Sequence, residues 1–285
     1  MNRRPSLPAG VLTALALVAF AGNSLLCRLA LRAGAIDPGS FTSLRLASGA
    51  LVLALLLRGR GTATAPAPAW RSAAALAGYA IPFSFAYVAL PASTGALLLF
   101  GAVQVTMLAS SLWSGERHHP RQWLGALIAL GGLIYLLLPG LAAPPLGSAA
   151  LMLLAGIAWG AYSILGRGTT DPLAATATNF ARAVPVALLA SALTLGAFTA
   201  SLPGILLAVS SGAIASALGY VIWYAALPRI SRLTASLVQL AVPVLTALAG
   251  VLLLGESLTP RLLLAGLLVL GGIALGVLVP RVPAV

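Results

Sequence analysis

The chain has 285 residues, of which 60% are hydrophobic and only 7% are charged, and its mean hydropathy is +1.06. Soluble domains carry about a quarter charged residues, so this composition excludes a soluble protein and predicts an integral membrane protein. The net charge of +12 comes from sixteen arginines scattered over loop ends. Because they do not gather on one soluble face, nucleic acid is not expected as a partner.

Ten segments are apolar over the roughly 20 residues that a membrane-spanning helix requires. We therefore predict an all-α integral membrane fold with ten transmembrane helices. The first segment carries Asn23 and Arg28 and leads directly into the next, so we expect it to be retained rather than cleaved as a signal peptide. The segments cover approximately residues 9–32, 38–57, 70–90, 93–113, 120–139, 146–166, 172–198, 203–227, 232–254 and 259–279.

One pattern occurs twice with identical spacing: Gly-Glu, then Pro-Arg, then Gly-Gly. It begins at Gly115 and again at Gly255, an offset of 140 residues, and similar five-residue stretches begin at Tyr87 and Tyr224. A duplicated and diverged unit explains both matches. We predict two five-helix repeats, residues 1–140 and 141–285.

Arginines concentrate in alternate loops, which marks the cytoplasmic side and predicts that both termini are cytoplasmic. The other loops hold only Arg32 and Arg261. Because each repeat has an odd number of spans, the second copy must enter the membrane from the opposite side. Such inverted repeats are a recurrent architecture of secondary transporters, with the substrate bound in a central cavity near the midplane.

Polar and aromatic side chains at span depth form the candidate substrate-binding set. Aromatic rings, Phe20 included, offer apolar walls and cation–π contact, while amides and hydroxyls hold a polar group. The polar members fit equally well as hydrogen bonds between helices, and the rings as bundle filler. Trp223 and Tyr224 also fit an interfacial aromatic belt, as Trp70 and Trp113 do. The candidates are Asn23, Tyr79, Phe83, Phe100, Gln104, Trp159, Ser163, Tyr220 and Gln239.

The two copies differ at several of these positions. Gln104 aligns with Val244, and Gln239 aligns with Leu99. We therefore expect selectivity to lie where the copies disagree, at Gln104, Trp159, Tyr220 and Gln239.

Three residues that weaken helices are candidate gating hinges: Pro82, Gly219 and Pro243. Proline removes a backbone hydrogen bond, and Gly219 aligns with Pro82 at an offset of 137 residues. Fixed kinks without motion are the alternative. Arg45 and Arg182, aligned at the same offset, are either functional intramembrane charges or side chains that snorkel to the headgroups.

The chemistry of an enzyme is missing from the predicted spans. The four acids, Asp37, Glu116, Asp171 and Glu256, fall at span ends or in loops, and so do His118 and His119. We predict no catalytic residues, no metal site and no cofactor. Without a midplane carboxylate, we expect facilitated diffusion or exchange rather than carboxylate-based proton coupling. The lone Cys27 excludes a disulfide framework.

The ten spans, the duplicated pattern and the Pro243-Val244 pair together resemble the drug/metabolite transporter superfamily and its EamA-type exporters, over essentially the whole chain. The first copy departs from the family pattern, with Val103 where proline is usual. The resemblance implies a bacterial inner-membrane carrier that exports amino acids, metabolites or drugs by alternating access. Its partners would be a small-molecule substrate and the lipid bilayer, and a monomer is expected.

A narrower similarity to aromatic amino-acid exporters of that superfamily makes aromatic amino acids the expected substrate. A broad exporter of drugs, organic cations among them, and a non-transporting membrane scaffold remain the alternatives.

Overall fold

The computed structural model describes residues 7–59, 70–113, 120–138, 143–194, 196, 198–230, 235 and 238–277. Within these residues the chain is helical apart from short connections and one isolated antiparallel bridge between Ile36 and Ala200. The predicted all-α fold is confirmed. Glu116, His118, His119 and both termini lie outside the described residues.

The helices are numbered in chain order, and one stretch of π-helix separates α8 from α9. Their bounds are α1 Ala9–Arg32, α2 Pro38–Arg58, α3 Trp70–Tyr87, α4 Ala92–Trp113, α5 Pro120–Leu137, α6 Leu146–Gly166, α7 Pro172–Ala192, α8 Leu202–Ser210, the π segment Ser211–Leu218, α9 Gly219–Ala226, α10 Ala241–Leu254 and α11 Pro260–Val277.

Six helical stretches among the described residues are long and apolar enough to cross a membrane. They are α1, α2, residues Ala92–Ser110 of α4, α6, α7 and the continuous rod Leu202–Arg229. Shorter apolar helices lie within α5, α10 and α11. The chain is therefore a multi-pass membrane protein, and the count of ten spans stays a prediction.

Aspartates cap two of the membrane helices. Asp37 and Asp171 stand directly before α2 and α7, each followed by proline at the first helical position, a favoured start signal. Asp37 accepts hydrogen bonds from the backbone N–H groups of Ser40 at 2.8 Å and Thr199 at 3.2 Å. Burial raises the pKa of the Asp37 carboxyl, but these bonds outweigh it and hold the pKa below its ordinary value. The acid therefore stabilises a helix start and the α7–α8 connection.

Contacts between the connections show which helix ends lie together. Arg32, the last residue of α1, donates a hydrogen bond of 2.5 Å to the final carbonyl of α10. Glu256, just beyond α10, accepts one of 2.8 Å from the backbone N–H of Ala92, where α4 begins. We call this side of the bundle the Glu256 end. On the opposite side, Arg229 after α9 donates to the Leu7 carbonyl before α1.

The glycine pairs of the repeated pattern lie where α5 packs against α11. A Cβ atom on Gly132 would stand 2.8 Å from the Leu268 Cβ, and one on Gly272 would meet the backbone of α5. The first members of the pairs, Gly131 and Gly271, have no neighbour within 4 Å of that position. The close approach of these helices thus depends on the second glycine of each pair.

Replacing Gly272 by alanine is expected to lower the thermal stability of the purified protein by the equivalent of about 1–3 kcal/mol, the usual effect of overpacking a tight contact. The new Cβ would lie 2.5 Å from the Gly125 carbonyl oxygen and 2.7 Å from the Ala129 nitrogen, and backbone cannot move aside as a flexible side chain does. Melting in detergent measures the change. Gly271→Ala is the matched control, and equal melting points for the two variants would contradict the prediction.

Candidate functional site

The candidate site is a small cavity enclosed by helices from the N-terminal half and from the C-terminal half of the chain. Residues of α1, α3 and α4 line it, together with residues of α6 and α9. In this conformation the space has room for about one water molecule, so the walls are nearly closed on one another. The lining residues are Phe20, Ser24, Tyr79, Phe83, Leu99, Phe100, Trp159 and Tyr220.

Trp159 stands at the centre of this aromatic wall. Its ring centroid lies 5.1 Å from that of Phe20, 5.0 Å from that of Tyr79 and 4.7 Å from that of Tyr220. Rings at these distances, tilted or edge-on to one another, make favourable contacts. The cavity therefore presents both ring faces and ring edges to whatever enters it.

Five of the nine predicted binding residues line the cavity, and all five are aromatic: Tyr79, Phe83, Phe100, Trp159 and Tyr220. Phe20, expected to contribute an apolar wall, lines it as well. The four polar candidates, Asn23, Gln104, Ser163 and Gln239, are buried but are not among the lining residues.

Asn23 joins three elements of the bundle. Its amide nitrogen donates to the Tyr79 hydroxyl at 2.8 Å, and its amide oxygen accepts from the Ser211 hydroxyl at 2.7 Å and from the Ser216 hydroxyl at 3.3 Å. Both serines belong to the π segment. Since a buried amide in a membrane needs such partners, Asn23 orients the Tyr79 hydroxyl of the cavity wall while its own amide is occupied.

Gln239 supports Trp159 from behind. Its amide oxygen accepts the indole N–H at 3.0 Å, and its nitrogen donates to the Ala235 carbonyl at 2.9 Å. Gln104 is 8% exposed on α4. Gln239 therefore has a defined structural connection to the cavity, through the indole that it holds in place.

Ser163 has a similar supporting position. Its hydroxyl oxygen accepts the indole N–H of Trp223 at 3.3 Å, and both residues are fully buried, as is Tyr224. The interpretation of Trp223 and Tyr224 as part of an interfacial belt is therefore wrong, because neither ring reaches the surface of the helix bundle. Trp70 and Trp113, which are 62% and 92% exposed, fit the belt.

The predicted hinges lie in different surroundings. Pro82 is buried within α3, and Pro243 is buried near the start of α10. Gly219 is the first residue of α9, directly after the π segment, and a Cβ there would stand 2.8 Å from the Ala19 Cβ of α1. Short π-helical stretches inside α-helices are frequent at functional sites. The structural irregularity is thus the π segment, and the sequence prediction marked only the glycine that directly follows it.

Arg45 is the functional candidate that the sequence left undecided. Its side chain is fully buried, with the guanidinium carbon 5.1 Å from the Tyr79 ring centroid and 5.0 Å from that of Phe83. One nitrogen, Nη2, donates to the Tyr220 hydroxyl at 3.4 Å. Snorkelling is excluded for Arg45 because no part of it reaches the surface. Its intramembrane charge was the signal that marked it.

Arg182, its aligned counterpart, differs. It is only partly buried, and its guanidinium carbon lies 5.0 Å from the ring of the exposed Trp70. The two aligned arginines therefore have different surroundings, and only Arg45 contacts the cavity wall.

Hydrogen bonds and an ion pair hold the helices together at the Glu256 end of the bundle. Both Glu256 carboxylate oxygens accept from the Ala92 N–H, at 2.8 and 2.9 Å, and one lies 3.5 Å from Arg28 Nε. Arg28 also donates to the Tyr87 carbonyl at 3.0 Å. Together these contacts tie α10, α4, α1 and α3 to one another at that end.

The fold and the site are those of a multi-pass helical membrane protein that encloses a small aromatic cavity between its helices. The model of the EamA-like transporter family matches residues 8–138 and 146–278. The chain therefore belongs to the EamA-like transporter family. It is a membrane transporter and not an enzyme.

Two relatives and one solved structure are similar to this chain. The chain is 58% identical to an uncharacterized protein of Pseudomonas aeruginosa over 95% of this chain and 94% of that protein. It is 28% identical to a probable terminal-alkyne amino-acid exporter of Streptantibioticus cattleyicolor over 71% of this chain and 70% of the exporter. A protein crystal structure matches with a TM-score of 0.66 and 23% identity over 94% of this chain and 95% of its own, which shows a shared fold.

Proposed function

We propose that this protein exports amino acids, aromatic ones foremost, and similar amphipathic metabolites across the bacterial inner membrane. The observation that carries the proposal is the cavity wall, in which six of eight residues are aromatic: Phe20, Tyr79, Phe83, Phe100, Trp159 and Tyr220. Such a wall suits a planar apolar side chain, because stacked and edge-on ring contacts add about 0.5–1.5 kcal/mol each to apolar burial. The similarity to a relative named as an amino-acid exporter supports the same substrate class.

Transport in this proposal follows alternating access between two inverted five-helix repeats, residues 1–140 and 141–285, with both termini cytoplasmic. A cavity with room for about one water molecule must widen before an amino acid fits. Pro82, Pro243 and Gly219, together with the π segment that directly precedes Gly219, are the proposed sites of bending. Without a carboxylate among the lining residues, exchange or facilitated diffusion is the expected mode.

Counterflow into proteoliposomes tests the function. Vesicles loaded with unlabelled substrate are expected to accumulate labelled phenylalanine and tryptophan, with threonine carried more slowly because it leaves the aromatic wall unfilled. Empty vesicles and vesicles with heat-denatured protein are the controls. Counterflow of organic cations alone would favour the broad drug exporter, and no counterflow of either class would overturn the proposal in favour of a non-transporting scaffold.

An imposed pH gradient tests the coupling separately. We expect that it does not drive uphill accumulation of phenylalanine. Uphill accumulation driven by the gradient alone would contradict exchange or facilitated diffusion without affecting the substrate assignment.

A further inference from the structure

Arg45 is a buried cation with unused hydrogen-bond donors. Nε and Nη1 have no hydrogen-bond partner in the protein, and the bond from Nη2 to Tyr220 is long, at 3.4 Å. A guanidinium carries five N–H donors, so most of its capacity is unspent. Burying unpaired donors on a charged group is energetically costly. A hydrogen-bond acceptor at this position would therefore stabilise the Arg45 guanidinium.

The described part of the chain does not supply that partner. Its three acids, Asp37, Asp171 and Glu256, are all bound to backbone N–H groups at helix ends. The rings of Tyr79 and Phe83 give Arg45 cation–π contacts, which lower the energy of the charge without neutralising it. No acid among the described residues therefore neutralises the charge of Arg45.

The position of Arg45 connects this charge to the cavity. All three residues that it contacts through ring or hydroxyl, Tyr79, Phe83 and Tyr220, are cavity-lining residues. The hydroxyls of Tyr79 and Tyr220 also lie 3.2 Å from each other. An anion that reached Arg45 from the cavity would meet two phenolic hydroxyls and the guanidinium together, while its apolar body would remain among the rings.

We infer that Arg45 is a substrate-binding residue that pairs with the carboxylate of the transported molecule, so that the site selects acids with an apolar or aromatic body over amines that lack the acid group. This inference rests on the proposed export function and extends it. Guanidinium binds carboxylate through short, charge-assisted hydrogen bonds. The aromatic wall then accounts for the side chain and Arg45 for the acid group.

Three phenyl compounds and two variants test the assignment. The compounds are L-phenylalanine, 3-phenylpropanoate, which lacks the amine, and 2-phenylethylamine, which lacks the carboxylate. The variants are Arg45→Met and, as the matched control, Arg182→Met at the aligned position. The measurements are competition against labelled L-phenylalanine counterflow and the shift of the melting temperature of purified protein by each compound.

In the unmodified protein, both acids are expected to compete and to raise the melting temperature, and the amine to do neither. Arg45→Met should weaken competition by both acids about 30-fold or more, the usual result of removing one partner of a buried charged pair, while Arg182→Met stays within about twofold. Without ligand, the Arg45→Met protein should melt at or above the temperature of the unmodified protein, because methionine removes an unpaired buried charge.

Different results would contradict the Arg45 assignment and the proposed export function. Acid competition unchanged in Arg45→Met, or an amine that competes as well as the acids, would make Arg45 a structural residue and leave export intact. Counterflow of none of the three compounds would overturn the proposed function itself. If Arg45→Met does not fold, the strength of competition by the two acids and by the amine is compared in the unmodified protein alone. Competition by the amine as strong as that by the acids would then contradict the assignment.

Discussion

Replacing Trp159 by leucine is expected to raise the KM for L-phenylalanine counterflow by about twofold to tenfold. Its indole is the central wall of the cavity, within 5.1 Å of the Phe20, Tyr79 and Tyr220 ring centroids. Leucine keeps the position apolar but removes the ring, and one aromatic contact of about 0.5–1.5 kcal/mol corresponds to at most about tenfold in affinity. Proteoliposome kinetics over a range of concentrations measure the KM separately from the maximal rate.

Trp223→Leu is the matched control for this change. Trp223 is as deeply buried, and its indole N–H also has one side-chain acceptor, Ser163 at 3.3 Å, but the residue does not line the cavity. Both variants should lower thermal stability, because each leaves a space and an unpaired acceptor. Only Trp159→Leu should change the KM. An unchanged KM in that variant, or equal changes in both, would remove Trp159 from the site.

The aromatic part of the site was predictable because helix geometry and the span pattern determine it. Tyr79 and Phe83 are four residues apart, so they share one face of α3, and their rings indeed lie 5.1 Å apart in the wall. Large rings at mid-span depth have few alternatives to burial. The sequence spacing alone therefore placed these rings together.

The polar part was less predictable because each amide pairs with a residue far away in the chain. Asn23 bonds Ser211, which is 188 residues away, and Gln239 bonds Trp159, which is 80 residues away. Nothing in local spacing reveals such partners. An amide that binds a ligand and an amide that binds another helix have the same sequence signature.

Arg45 shows the limit of reasoning from an internal repeat. The internal repeat aligns Arg45 with Arg182 and offers the same two interpretations for both. Arg45 is nevertheless fully buried against the cavity wall, whereas Arg182 lies against an exposed tryptophan. Burial depends on which neighbouring helix covers each face, and the aligned positions do not carry that information.

Replacing Glu256 by glutamine is expected to make the single cysteine, Cys27, react about tenfold faster with a charged maleimide in lipid nanodiscs. Cys27 is fully buried on α1, directly beside Arg28, so we expect a polar reagent to reach it when the Glu256 end opens. Glutamine retains an oxygen for the Ala92 N–H but loses the charge that strengthens this bond and the 3.5 Å pair with Arg28. A loss of about 1.4 kcal/mol of closure free energy raises the open fraction tenfold.

Asp171→Asn is the matched control for this variant, because it neutralises a capping carboxylate at the start of α7. Arg167, just before this helix, donates to the Ile230 carbonyl, which places the start of α7 on the side of the bundle opposite the Glu256 end. It should leave the labelling rate within about twofold, and Cys27→Ala should abolish labelling. On the alternating-access proposal, L-phenylalanine bound in the cavity should slow labelling of the Glu256→Gln protein, because a filled cavity shields the path to Cys27. Labelling as slow as in the unmodified protein would mean that the Glu256 contacts do not hold this end closed and that the closure resides in the packing of α1, α3 and α4.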